Sequence, residues 1–124
     1  MKHDIINTEI MYWLYHTLPS KDTEVIPYTK DPKYIPDLLK AMHKKFPDIN
    51  IRISCPSNRY WTAEKEYACC VSAWGHYAFG NAKLKEFHKV LADSIQEGLC
   101  LLTLKLCRIE DDKYDELIKG SDNE

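Results

Sequence analysis

The sequence predicts an α+β fold: a small antiparallel β-sheet of two to three strands, packed by an N-terminal helix, a second helix and a long C-terminal helix. Three observations predict it. Apolar residues recur at helical spacing near the N-terminus and again in "YIPDLLKAMHKKFP". They alternate at every second position in "INIRIS". A capping sequence, "SIQE", leads into the apolar run "LCLLTLKLCRI".

Ile6, Ile10, Trp13 and Leu14 place the first helix at about residues 4–18, ahead of Pro19. "PSKDTEVIPYTKDPK" is rich in turn formers and reads as an ordered loop stiffened by Pro27 and Pro32. In the second helix Pro36 suits a first-turn position and Asp37 favours the positive end. Leu38, Leu39, Met42 and Phe46 share a face, and Pro47 ends the run. Ile49, Ile51 and Ile53 alternate with Asn50, Arg52 and Ser54, which makes a strand with one buried face.

"CPSNRYWTAEKE" is expected to be a connection and "YACCVSAWGHYAF" a second strand, the two strands pairing as a long-looped antiparallel hairpin. Arg59, Tyr60 and Trp61 then sit on a loop at one end of the sheet. From Lys83 to Leu91 two patterns compete: Leu84, Phe87 and Leu91 fit a helix, while Phe87, Lys89 and Leu91 alternate. The helix is the expectation adopted. Ser94 and Glu97 mark the start of the last helix near Ile95. That helix is apolar on nearly every face, which predicts one face on the sheet and another against a second chain.

The length of 124 residues suits one domain, expected over residues 1–110, with residues 111–124 an acidic and partly disordered tail. Hydrophobic residues at 44% and charged residues at 29% give a soluble globular balance. A net charge of -2 and a pI near 6.2 argue against a broad DNA-binding or RNA-binding face. No apolar stretch is long enough to span a bilayer, and Asp4, Asn7, Glu9 and His16 interrupt the N-terminal run, unlike a secretory signal. Five cysteines, an odd number with no C-x-x-C spacing, suit a reduced compartment and so a cytoplasmic location.

No histidine pair falls at H-x-x-x-H spacing and the cysteines are scattered or adjacent, so no metal pattern is present and no cofactor is implied. A G-x-S-x-G elbow is absent, and Cys69 and Cys70 in one strand must point to opposite faces, as small packing residues do. No residue is assigned a catalytic role. Cys100 and Cys107, seven apart on the last helix, share a face as core or interface residues.

The candidate ligand-binding residues are rings and cations. In "AWGHYAFGNAK", Trp74, His76 and Phe79 lead to Asn81 as a helix cap, with Lys83 and Lys85 in the first turn beyond it. Lysines there oppose the helix dipole, and a bound anion would relieve them. Arg59 beside Tyr60 suits stacking on a base while the guanidinium meets a phosphate. Arg108 follows the apolar helix and could reach a pocket shared between two chains. The plain alternatives are cross-strand packing for the rings, solvation for the lysines and a dipole contact for Arg108.

The order helix, "PYTKD", helix, "INIRIS", "RYWTAEKEYAC", "LADSIQEGLCLLTLKL" resembles the small phage proteins grouped as the phage ABA sandwich domain. Pro27, Tyr28 and Thr29 match the step before that family's second helix, Trp61 its central hairpin, and Ala92, Asp93 and Ser94 the step into its last helix. Within that group the chain is similar to the Thoeris anti-defence sponges, over about residues 5–107. The resemblance implies a phage protein of the host bacterial cytoplasm that holds a cyclic ADP-ribose isomer made by TIR enzymes, intact, in a homodimer or in dimers further joined into a hexamer. The longer stretch between Phe79 and Leu91 departs from the family pattern. Two other classes fit the same residues: an interaction protein acting through its apolar helix and acidic tail, and a nucleotide-degrading enzyme with His76 or Cys70 as the acting group.

Overall fold

A computed structural model of the chain describes residues 2–17, 24–55, 60–61, 66–79 and 82–107, with 2, 60–61, 75–79 and 82–87 entering as backbone positions. Arg59, Asn81, Arg108 and the tail at 111–124 lie outside the described residues.

Helix α1 spans Lys2–Trp13 and buries the stripe Ile6, Asn7, Ile10, Met11 and Leu14. It ends earlier than the periodicity predicts. Leu14 still donates to the Ile10 carbonyl, but His16 takes φ 54° and the Thr17 amide turns back to the Met11 carbonyl at 2.8 Å. A left-handed residue ends a helix whatever the apolar pattern beyond it.

Of the loop that follows, residues 24–31 are described and are tied to α1. The Thr29 amide donates to the buried Asn7 Oδ1 at 2.9 Å, and Tyr28 stacks parallel on Tyr15 with centroids 5.1 Å apart. A single 3₁₀ turn, Pro32–Tyr34, capped by Asp31, leads into α2, Ile35–Lys45. Leu38, Met42 and the terminal Phe46 are buried, on the face predicted.

Strand β1, Ile49–Ser54, pairs antiparallel with β4, Cys69–Phe79, from Ile49↔Gly75 to Ser54↔Cys70. This is the predicted hairpin. Its connection carries a feature the sequence did not suggest: Tyr60–Trp61 (β2) and Glu66–Tyr67 (β3) pair as a separate two-stranded ribbon. Tyr60 therefore lies in a strand, because the connection is long enough to fold back on itself.

The helix expected over 83–91 is instead β5, Ala82–Ala92, paired with β4 along its whole length. Eleven consecutive register pairs with a central strand outweigh a helical spacing of only three apolar residues. The sheet order is β1-β4-β5, three strands and all antiparallel.

The last helix, α3, spans Ile95–Leu106, with Ser94 Oγ accepting the Glu97 amide at 3.2 Å as the capping pattern predicts. One side of α3 packs on β4 and β5, and the other is covered by α1 and α2. Leu99 through Leu104 are all buried within the single chain. The expectation that this helix needs a second chain therefore fails: its all-round apolar pattern marks the central layer of the fold. The N-terminal helices reach the sheet through α3.

Candidate ligand-binding face

Side chains alternate across a strand, so β4 serves two environments. Cys69, Val71 and Ala73 face α3 and are buried, whereas Trp74, on the opposite side, is 41% exposed. Trp74 stands at the centre of the sheet, between Asn50 in β1 and the Phe87 position in β5. The neighbouring row is Arg52, Ser72 and Lys89. Arg52 and Lys89 are exposed and flank the buried Ser72.

Directly opposed residues in such a ladder lie about 5 Å apart and diagonal neighbours about 7–8 Å. A guanidinium and an ammonium thus lie in the row next to an exposed indole, each diagonal to it and within the reach of one small ligand. The described side chains on this face, Asn50, Arg52, Ser54, Cys70, Ser72, Trp74, Lys89 and Leu91, include no carboxylate. The Asn50 amide donates to the Trp74 carbonyl at 3.5 Å, and the Lys105 ammonium to the Lys89 carbonyl at 3.2 Å, tying both edges to the frame.

The register sorts the predicted site residues. His76 pairs with Lys85 and Ala78 with Lys83, so His76 and Lys83 occupy the same alternate series as Trp74. Phe79, paired with Ala82, falls in the other series. With β5 a strand, Lys83 and Lys85 do not begin a helix, so no helix dipole favours an anion there. Tyr60 lies in the ribbon.

Arg52 and Lys89 are the residues that sequence reasoning missed. Arg52 reads as a solvated strand residue, and Lys89 was hidden by the helical assignment of its segment. The signal was present in the alternation of Lys83, Lys85, Phe87 and Lys89.

The thiols are poor nucleophile candidates where they are buried. Burial pushes Cys69 up to about 12, with Cys55 beside it adding to the shift, and pushes Cys107 up to about 11. Burial likewise raises Cys100. Among the described residues no group of three or more His, Cys, Asp or Glu could hold a metal ion. No helix among them is long and apolar enough to cross a membrane.

No family model, curated protein or solved structure matches this chain. The functional reading accordingly rests on the chemistry of the face and on the sequence resemblance described above. An exposed indole can stack on a flat ring, and the two cations of the neighbouring row can hold a phosphate beside it.

Proposed function

We propose that this chain is a phage or prophage anti-defence protein that binds a TIR-generated cyclic ADP-ribose isomer and sequesters it uncleaved, so that Thoeris signalling is blocked. The observation that carries the reading is the exposed Trp74 with Arg52 and Lys89 in the adjacent cross-strand row, on the side of the sheet away from α3. The ligand supplies the matching groups: an adenine to stack on the indole and a diphosphate to meet the cations.

Sequestration against a receptor calls for nanomolar binding, about 12 kcal/mol. One base stack contributes about 1–3 kcal/mol and each charge-assisted hydrogen bond about 1.5–3, against an association cost of several. A site shared by two copies of the chain would supply the remainder. The shared surface would be the sheet face, since α3 is enclosed. That enclosure also removes the apolar helix on which an interaction-protein role was argued.

Capture and release tests the reading. The purified protein is mixed with the cyclic ADP-ribose isomer, freed of unbound ligand and heat-denatured, and the supernatant is chromatographed. Recovery of the unchanged molecule supports a sponge. A converted product would indicate an enzyme, and an empty supernatant would exclude this ligand.

A further inference from the structure

A second site lies on the other side of the molecule, where the end of α1 meets α2. A cavity of about 440 Å³ is lined by Leu14, Tyr15, His16, Asp37, Ala41 and the lysines at 40, 44 and 45. A second cavity of about 380 Å³ adjoins it through His16 and Lys45, and its remaining walls are Tyr12 and Trp13. Both volumes fall in the range of about 300–1,000 Å³ usual for small-molecule sites.

Three observations give this hollow a chemistry. First, it is cationic: Lys40, Lys44 and Lys45 face a single carboxylate, Asp37, and among the described residues none of the three lysines joins an ion pair. The helix dipole accounts for Lys44 and Lys45 in the last turn of α2, but not for Lys40 in its middle. Second, the Tyr15 hydroxyl is buried and has no hydrogen-bond partner among the described residues. Third, His16, common to both cavities, holds φ 54°, a left-handed conformation that a non-glycine residue adopts at a cost.

We infer that the α1–α2 hollow binds a small phosphate-bearing ring compound of nucleoside monophosphate size. The phosphate sits among Lys40, Lys44 and His16, and the ring lies against Tyr12 and Trp13. This inference is independent of the sheet-face reading: it uses other elements in another layer.

The test is calorimetric titration of the full chain with AMP, with adenosine as the ring-only control. The expected result is binding of AMP at least tenfold tighter than adenosine, and loss of at least tenfold in the variant carrying Lys40→Glu and Lys44→Glu. Both lysines are exposed, so the variant keeps its fold, which circular dichroism verifies. Trp74→Ala must leave in place the AMP binding that the double lysine variant removes. Silence with AMP at millimolar concentration, adenosine binding as tightly as AMP, or retention of binding in the double variant would each overturn the assignment. So would loss of AMP binding in Trp74→Ala, which would move the site to the sheet.

Discussion

Gly98 in α3 lies so close to Val71 in β4 that a Cβ placed on the glycine would come within 2.5 Å of the valine Cγ2. The absent side chain lets the central helix settle onto the central strand. Gly98→Ala gains about 1 kcal/mol of helix propensity but forces a shift in a fully buried contact, typically costing about 1–3 kcal/mol or more. A net destabilisation of up to about 2 kcal/mol is expected, measured by chemical denaturation. A double-mutant cycle with Val71→Ala should show positive coupling, because the smaller strand residue admits the new methyl.

Asn7 does for the loop what Gly98 does for the sheet. Its side chain accepts the Thr29 amide in a fully buried setting, and His3 Nδ1 lies 2.9 Å from Thr29 Oγ1. Asn7→Ala leaves a buried amide without its acceptor, a cost of about 1–3 kcal/mol. Thermal unfolding should shift down by roughly 4 °C for each kcal/mol lost.

These two contacts also show where the sequence was readable. The Ser94 cap, the buried stripe of α2 and the isoleucine alternation of β1 are local patterns, and each appears where its pattern lies. The segment from Lys83 to Leu91 satisfies two periods at once, and only its pairing with β4 decides between them. An all-round apolar helix says that α3 must be covered but not whether its own chain covers it. The site followed the same division: Trp74 was visible as an aromatic, whereas joining Arg52 to Lys89 requires the cross-strand register. The α1–α2 hollow depends on a packing that no short stretch encodes.

At alkaline pH the buried thiols should contribute to a loss of stability, together with Tyr15 and Tyr28, which burial also raises. Cys69 and Cys107 are held up to about 12 and about 11 by burial, above the ordinary value of 9.0 that they regain on unfolding. Between pH 9 and those values the folded chain retains protons that the unfolded chain has lost. Their contribution is therefore complete below pH 9 and disappears as pH rises through about 11 and then about 12. Denaturation midpoints measured from pH 8 upward should fall, by up to about 1.4 kcal/mol per pH unit for each thiol held protonated. Cys107→Ala should flatten the lower part of that descent.

His16→Gly separates strain from binding. Glycine occupies the left-handed region freely, so the substitution relieves about 1 kcal/mol of backbone cost at φ 54°. Part of that gain returns to the unfolded chain, which a glycine makes more flexible. A melting temperature equal to or above that of the parent is expected, together with weaker AMP binding. A fall in both would mean that the imidazole supports the fold.

The sheet face gives the prediction that bears most directly on function. Trp74 is 41% exposed, so Trp74→Ala should leave the fold within about 1 kcal/mol of the parent while removing the stacking surface. A base stack of about 1–3 kcal/mol corresponds to a loss of roughly 5-fold to 150-fold in affinity for the cyclic ADP-ribose isomer. Arg52→Ala and Lys89→Ala should each cost tenfold or more, and both losses should grow with salt, because exposed charges are screened. Arg52→Lys should recover only part of the affinity, since an ammonium cannot hold two phosphate oxygens side by side as a guanidinium does. Equal affinities for Arg52→Lys and the parent would mean that position 52 supplies charge alone, and unchanged affinity in Trp74→Ala would move the nucleotide off this face.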